Sequence, residues 1–448
     1  MPTVTRRRFL GTIGLGAAAC AVRPAWLAAA PAPAKKPNFV IVFTDDQGYG
    51  DLSCYGSKTI QTPRLDQMAR EGLKLTSFCV QPVCGPSRAA LMTGCYPSRV
   101  IRQWSLAPSE ITMAEVLKSA GYATGCIGKW DLSGRKFVEG RLPTDQGFDY
   151  YFGTLGATDS GHVDFYRNKE RAGETDDMGS LTGRYTDEAI AFLRQHKDEP
   201  FLLYLPHSMP HVKIGASEQF RGKSKGGLYG DVIEELDWNT GRLLDCVKEL
   251  GLAENTIVLF ISDNGPWLIT GAMGGSAGPL REGKGTAWEG GFRTPCIVWG
   301  GRLPAGRESN ELVASIDLML TFARMAGAQA PTDRVIDGCD QAPLLTGASD
   351  KSARDTFLYY TGDRLQAVRK GRWKLFVGKG AAKNAPAQDK AGLYDLEADL
   401  GETTNVAAAH SDMVRQLSEL AAKAREDIGE GKRPGKNARL DADTLKAF

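Results

Sequence analysis

Histidine is scarce in this chain, five in 448 residues. That scarcity excludes a binuclear zinc hydrolase of the His-rich kind, because no set of enough imidazole ligands can be assembled. The nine cysteines never fall in a C-x-x-C pair, so neither a zinc ribbon nor a disulfide-built scaffold is expected. They read as core thiols, one or two of which can pair after export. A dominant charge is missing too: 55 Lys and Arg against 53 Asp and Glu leave no field for a polyanion, so nucleic acid is not an expected partner. No apolar run is long enough to span a bilayer, and no internal repeat is found. What remains is a chain with 42% hydrophobic residues, enough to bury a large core and to divide into one big domain and a small one.

The first residues read as an address. Thr5-Arg6-Arg7-Arg8-Phe9-Leu10 fits the twin-arginine export pattern, and a mild Gly/Ala-rich run from Phe9 to Val22 follows. The Tat translocase is the partner this implies, and the mature protein is expected in the periplasm or secreted, with no transmembrane segment. Ala28-Ala29-Ala30 offers a cleavage site, while Ala17-Ala18-Ala19-Cys20 offers a weak lipid-attachment alternative at Cys20. Residues 1–36 are therefore signal and linker, the Pro/Ala/Lys stretch from Pro31 to Pro37 being too polar and Pro-rich to fold.

Beyond the linker, buried strands alternate with polar loops and helices. Asn38–Phe43 is a continuous apolar run of strand length that stops at Thr44-Asp45-Asp46, and Thr256–Ile261 repeats this, halting at Asp263-Asn264-Gly265. Gly121–Trp130 reads as a strand delivering Lys129, and Phe201–Leu205 as one running into Pro206-His207-Ser208-Met209-Pro210-His211. Helices are expected over Pro63–Gly72, Ile111–Ala120 and Val232–Leu250, the last ended by Gly251. The pattern predicts an α/β fold with a mixed, mostly parallel sheet sandwiched by helices over residues 37–345. Short strands at Phe357–Tyr360, Ala367–Lys370, Trp373–Val377 and Gly392–Leu396 and a helix at Met413–Ala424 predict a small α+β subdomain over 346–428. The polar, basic tail 429–448 is expected to be loose.

One string organises the rest: Pro82-Val83-Cys84-Gly85-Pro86-Ser87-Arg88-Ala89-Ala90-Leu91-Met92-Thr93-Gly94. Pro86 fixes φ and lacks an N–H, so the residues after it can open a helix whose N-terminus faces what Cys84 faces, a place that suits an anion. A lone cysteine at a turn is usually core. This whole string, however, resembles the signature of type I sulfatases, arylsulfatase-like members of the alkaline-phosphatase-like superfamily, in which the cysteine of Cys-x-Pro-x-Arg is oxidised to formylglycine. The resemblance extends from about Asn38 to Ala424 and implies an alkaline-phosphatase-like fold, a formylglycine-generating enzyme as partner and Cys84 as the modified residue.

The other clusters fall into the same pattern. Asp45, Asp46, Asp263 and Asn264 are hard oxygen donors at the ends of two strands; they suit Ca²⁺, less well Mg²⁺, and not zinc. Either pair alone would read as a turn or an N-cap. By the resemblance they hold the metal with an oxygen of modified Cys84, while Arg88, Lys129, His211 and Lys284 bind the sulfate. Lys284 lies in the glycine-rich Arg281–Gly291 segment, which lacks the spacing of a P-loop. The implied reaction is attack on sulfur by the hydrated aldehyde, with His211 or Lys284 as general acid. His207 is a neighbour or a substrate contact, with a structural role equally open. Trp104, Trp267 and Arg364 are substrate-side candidates that serve equally as packing.

One position departs from the family. It usually writes Gly-Lys-Trp-His where this chain has Gly128-Lys129-Trp130-Asp131. Asp131 can act as a base, but a carboxylate ~4 Å from a sulfate oxygen costs about 4 kcal/mol at an effective dielectric near ~20. It must be protonated, paired with a lysine, or turned away. The expected function is thus hydrolysis of sulfate esters, of a sulfated small molecule or glycan. The alternatives are a phosphodiesterase or phosphonate monoester hydrolase of the same superfamily, and a sulfated-glycan binding protein that has lost catalysis through Asp131.

Overall fold

A computed structural model describes residues 35–102, 104–378 and 392–439; the twin-arginine leader, its cleavage site and Cys20 lie outside the described residues. The main sheet is built from β1 (Asn38–Thr44), β2 (Leu73–Cys79), β3 (Ala123–Lys129), β4 (Tyr150–Thr154), β5 (Val163–Arg167), β6 (Glu170–Thr175), β7 (Phe201–Pro206), β8 (Thr256–Ser262), β9 (Arg293–Trp299) and β10 (Arg307–Ser309). Their spatial order is β10-β2-β9-β8-β1-β7-β3-β4-β5-β6. The central run β8-β1-β7-β3-β4 is parallel throughout, and antiparallel pairings begin at β9 on one side and β5 on the other.

Strand β1 shows why the sheet is covered on both faces. Phe39, Ile41 and Phe43 pack into one core and Val40 and Val42 into another, because successive side chains of a strand leave on opposite sides. The first core is closed by α2 (Cys84–Thr93), α3 (Met113–Ser119) and α6 (Leu318–Ala326), the second by α1 (Pro63–Glu71), α4 (Leu181–Gln195) and α5 (Gly227–Glu249). Helix α3 starts where Thr112 and Glu115 form a reciprocal capping box, and α1 carries Pro63 at its first turn, both ordinary helix starts.

The C-terminal part forms a four-stranded antiparallel sheet from β11 (Thr356–Thr361), β12 (Arg364–Lys370), β13 (Trp373–Phe376) and β14 (Leu393–Asp395), with α7 (Ser411–Asp427) packed on it. The expectation of a loose tail from 429 is corrected as far as residue 439. Gly429–Glu430 pairs with Arg433–Pro434, the Arg439 backbone N–H donates to Arg99, and the Arg439 side chain grips Glu110 at 2.9 Å. Polar composition suggested solvent, but the segment makes a local hairpin and Arg439 finds its partners more than three hundred residues earlier. All eight described cysteines are free thiols, so none of them forms the pairing anticipated after export. Among the described residues no helix is long and apolar enough to cross a membrane.

Candidate active site

Four neighbouring parallel strands end together. Thr44 pairs with Ser262, so Asp45 and Asp263 follow side by side at the carboxyl ends of β1 and β8. The Asp263 N–H donates to Thr44 O and the Asp46 N–H to Asp263 Oδ1, each at 3.0 Å. Lys129 arrives from the end of β3 and the His207–His211 segment from the end of β7. Ligands of open α/β sheets sit at this edge.

Cys84 comes from the first core. Helix α2 begins at Cys84 itself, three residues earlier than the proline-based reading, with extended Val83 as its cap and left-handed Gly94 closing it. The thiol lies 3.2 Å from Asp45 Oδ1, 3.8 Å from Asp46 Oδ1 and 3.5 Å from Lys284 Nζ, so its sulfur points into the polar cluster. Burial, and then the Asp45 charge, hold this thiol well above its ordinary range. An unmodified Cys84 is therefore a poor thiolate nucleophile.

The cations divide into two kinds. Lys129 Nζ sits 2.6 Å from Asp45 Oδ2, and Lys284 Nζ lies 2.6 and 2.8 Å from the two Asp46 oxygens. Burial opposes the charge on both lysines, but the surrounding anions outweigh it and raise both above the ordinary value. Arg88 is fully enclosed. It donates to Lys129 O and Asp263 Oδ2, both at 2.9 Å, and comes within 3.4 Å of Asp45 Oδ2. Its guanidinium thus braces the carboxylates.

His211 is buried, and its Nδ1 is 2.5 Å from the Val212 carbonyl. A carbonyl only accepts, so Nδ1 carries the hydrogen and Nε2 faces Asp46 Oδ2 at 3.7 Å. Burial, assisted by Lys129 and Lys284 against the pull of Asp45 and Asp46, lowers its proton affinity below the usual range. Trp267 packs beside both groups, its ring tilted 5.5 Å from the His211 ring and 4.4 Å from Lys284 Nζ.

The remaining candidates separate. His207 is buried against Tyr185, with a partnerless Nδ1. Arg364 is exposed at the start of β12, beside a turn that pairs with Glu430 and Gly431; nothing brings it to the cluster around Cys84. Trp104 does border the site, since a Cβ added at Gly85 would lie 2.1 Å from its ring. Two residues that sequence reasoning did not single out join the border: Arg135, with its guanidinium 4.5 Å above Trp104, and Asp159, 3.5 Å from Arg135 and 4.0 Å from His211. Asp131 is paired, as its surroundings demanded, with Arg135 Nε at 2.8 Å and Lys129 Nζ at 3.6 Å.

The donor set fits a hard divalent cation. Asp45, Asp46, Cys84 and His211 offer ligand atoms within 4.8 Å of one another. Asn264 donates through Nδ2 to Asp46 Oδ1 at 2.8 Å, while its Oδ1 is buried without any partner. Burial together with the Asp45 and Asp46 charges pushes Asp263 up to about 8, against the pull of Arg88 and Lys129. Crowded carboxylates and an orphaned amide oxygen are what a cation would relieve.

Comparison with known proteins agrees with this geometry. A family model described as Sulfatase matches residues 37–328, and one described as the C-terminal region of aryl-sulfatase matches residues 352–444. Human (Homo sapiens) arylsulfatase A is 36% identical over 454 residues, covering 88% of this chain and 89% of its own. N-acetylgalactosamine-6-sulfatase of Canis lupus familiaris is 39% identical over 388 residues, covering 78% of this chain and 73% of its own. The crystal structure of the PsFucS1 sulfatase from Pseudoalteromonas sp. superposes with a TM-score of 0.78 at 28% identity, covering 87% of this chain and 90% of that one. With the Cys84 helix, the paired strand-end carboxylates and the lysines in one cluster, and both family regions matched, the chain belongs to the sulfatase family and is a sulfuric ester hydrolase.

Proposed function

We propose that the protein is an exported, divalent-metal-dependent sulfatase that acts on a sulfated carbohydrate through a formylglycine formed from Cys84. The observation that carries this is the convergence on Cys84 Sγ of Asp45 Oδ1 at 3.2 Å and Lys284 Nζ at 3.5 Å. Asp45, Asp46, Asp263 and Asn264 would hold the cation, Ca²⁺ in preference to Mg²⁺, because three carboxylates and an amide oxygen from the protein suit its larger oxygen shell, whereas Mg²⁺ is usually held by one or two carboxylates. When present, the hydrated aldehyde supplies an oxygen nucleophile at residue 84 and the cation favours its ionised form.

The chain's own residues do the rest. Lys129 and Lys284 keep their protons and neutralise the sulfate oxygens as charge develops; one such donor is commonly worth ~2.7–4 kcal/mol of transition-state stabilisation. Arg88 fixes Asp45 and Asp263, and so positions the ligands. His211 is tautomerically set by Val212, and a bound sulfate anion beside Nε2 raises its proton affinity, so Nε2 can carry a proton to the leaving oxygen. The carbohydrate reading draws on two aromatic rings at the site border, Trp104 and Trp267, and on relatives whose names include N-acetylgalactosamine-6-sulfatase. The twin-arginine sequence at Thr5–Leu10 and the need for a formylglycine-generating enzyme belong to the same reading.

Turnover of an aryl sulfate against the matching aryl phosphate or phosphonate is the test. Preference for the sulfate is expected. Preference for the phosphorus ester would favour the superfamily's phosphonate monoester hydrolases, one of which, from Silicibacter pomeroyi, shares the fold at 18% identity and a TM-score of 0.67.

A further inference from the structure

Asp159 stands beside the atom assigned above to the leaving oxygen. Its Oδ1 is 4.0 Å from His211 Nε2, and its Oδ2 is 3.5 Å from Arg135 Nη1. Both separations exceed a hydrogen bond, and the side chain is 53% exposed. Asp45, Asp46 and Asp263 are buried by contrast, so Asp159 is the carboxylate of this group that an incoming substrate can reach.

Its position is fixed from two sides. Thr158, fully buried, directs its hydroxyl to the carbonyls of His211 and Val212 at 3.2 and 3.0 Å, and its own carbonyl accepts from the N–H groups of Lys213 at 3.1 Å and Gly161 at 2.8 Å. These bonds tie the loop of Asp159 to the loop of His211. On the other side Arg135 is held by Asp131 at 2.8 Å and lies 4.5 Å above the Trp104 ring.

A carboxylate at the mouth of a sulfate site repels the substrate unless the substrate brings a donor to it. Charge decides the kind of donor. Arg135 already faces Asp159, and an ammonium docked on that carboxylate would meet the guanidinium as well, so a neutral hydroxyl suits the place better. Distance decides where the hydroxyl sits. An ester oxygen bonded to Nε2 and a hydroxyl bonded to Oδ1 start from atoms 4.0 Å apart, a gap that oxygens on adjacent carbons can bridge with two hydrogen bonds of ~2.8 Å.

We propose that Asp159 is a specificity-determining residue that accepts a hydrogen bond from a hydroxyl on the carbon next to the one bearing the sulfate. The substrate class is then a vicinal diol esterified at one oxygen, as in a sugar sulfated on its ring, rather than an ester on an exocyclic carbon whose neighbour carries no hydroxyl. This rests on the sulfatase reading above and deepens it.

The test is the ratio of kcat/KM for 2-hydroxyphenyl sulfate to that for phenyl sulfate, measured with full-length wild type and Asp159→Ala from cells that form the aldehyde. Each ratio is taken within one preparation, so loss of folded or modified enzyme cancels, and comparing the two enzymes cancels the difference between leaving groups. The ratio is expected to be about 10–100-fold higher in wild type than in Asp159→Ala, the range of a hydrogen bond to a charged group. Asp159→Asn keeps an amide oxygen as acceptor and falls between them. For 4-hydroxyphenyl sulfate, with its hydroxyl across the ring, the two enzymes give the same ratio. Equal ratios for the 2-hydroxy ester overturn the proposal, and so does an equal Asp159-dependent gain for the 4-hydroxy isomer. A larger Asp159-dependent gain for the 2-aminomethyl ester, a cation at neutral pH, overturns the assignment of a neutral donor. Wild-type enzyme that releases no sulfate from any of these esters overturns the sulfatase reading itself.

Discussion

Lys284 and His207 show how differently two buried basic groups serve a site. Lys284 touches both Asp46 and Cys84, so Lys284→Ala is expected to lower kcat/KM for an aryl sulfate by about 10²–10³-fold, measured by steady-state kinetics, while circular dichroism stays native. His207 is held neutral, burial pushing its pKa down to about 3. Between that value and the ordinary one near ~6.5 the unfolded chain binds the proton and the folded one does not, so stability contributed by a neutral His207 is present above pH ~6.5 and falls with pH by up to about 1.4 kcal/mol per unit. Urea unfolding from pH 7 to pH 5 is expected to show a shallower loss in His207→Gln than in wild type. At this scale the sequence was informative wherever a functional side chain follows a buried apolar run, as with Asp45, Asp263 and Lys129. Arg135 and Asp159 follow no such run: they are brought in by loops, Arg135 through a left-handed turn at φ 60°. Arg364 is a basic residue in an exposed hairpin with no apolar run ahead of it to tie it to the strand ends.

The segment Arg281–Phe292 carries Lys284 and is held from behind by the C-terminal sheet. Lys374 on β13 lies 3.0 Å from Glu289 and 2.8 Å from Glu402, all fully enclosed, and Tyr359 on β11 donates to Glu289. Burial would raise Glu289, but Lys374, Arg369 and Arg293 outweigh it and bring it to about 2. Lys374→Met leaves buried Glu402 without its cation and removes one of the three that hold Glu289, and is expected to destabilise the protein by about 3–5 kcal/mol, read as the shift in the urea midpoint multiplied by the slope. Gly265 makes the neighbouring constraint visible, for a Cβ there would stand 1.7 Å from Gly290 O. Gly265→Ala is expected to shift the Asp263–Asn264 turn and weaken metal affinity, measured by titration calorimetry. The buried parallel strands β1, β3, β7 and β8 were legible because burial on both faces leaves unbroken apolar runs. Strand β6, exposed along nearly its whole length, carries no apolar signal at all, and β2, Leu73-Lys-Leu-Thr-Ser-Phe-Cys, mixes polar residues into an antiparallel pairing with β9. Strand β6 is set by its hairpin with β5, and β2 by partners more than two hundred residues away.

Across the whole molecule, two cores on opposite faces of one sheet meet at a single edge, where the strand ends, the Cys84 helix and the Lys284 segment deliver the charges. The carboxylates there repel one another, so a bound cation should couple activity to global stability. Chelator treatment is expected to abolish turnover and lower the Tm, with Ca²⁺ restoring both more fully than Mg²⁺. The central claim is that residue 84 acts as an aldehyde, since it heads the family signature and its side chain points among the Asp45 and Asp46 carboxylates and Lys284. Mass spectrometry of the peptide containing residue 84, taken from active enzyme made in its own host, tests this most directly. The account predicts the aldehyde in place of the thiol, trapped as a hydrazone by a hydrazine probe; an unmodified thiol throughout fully active enzyme would contradict it.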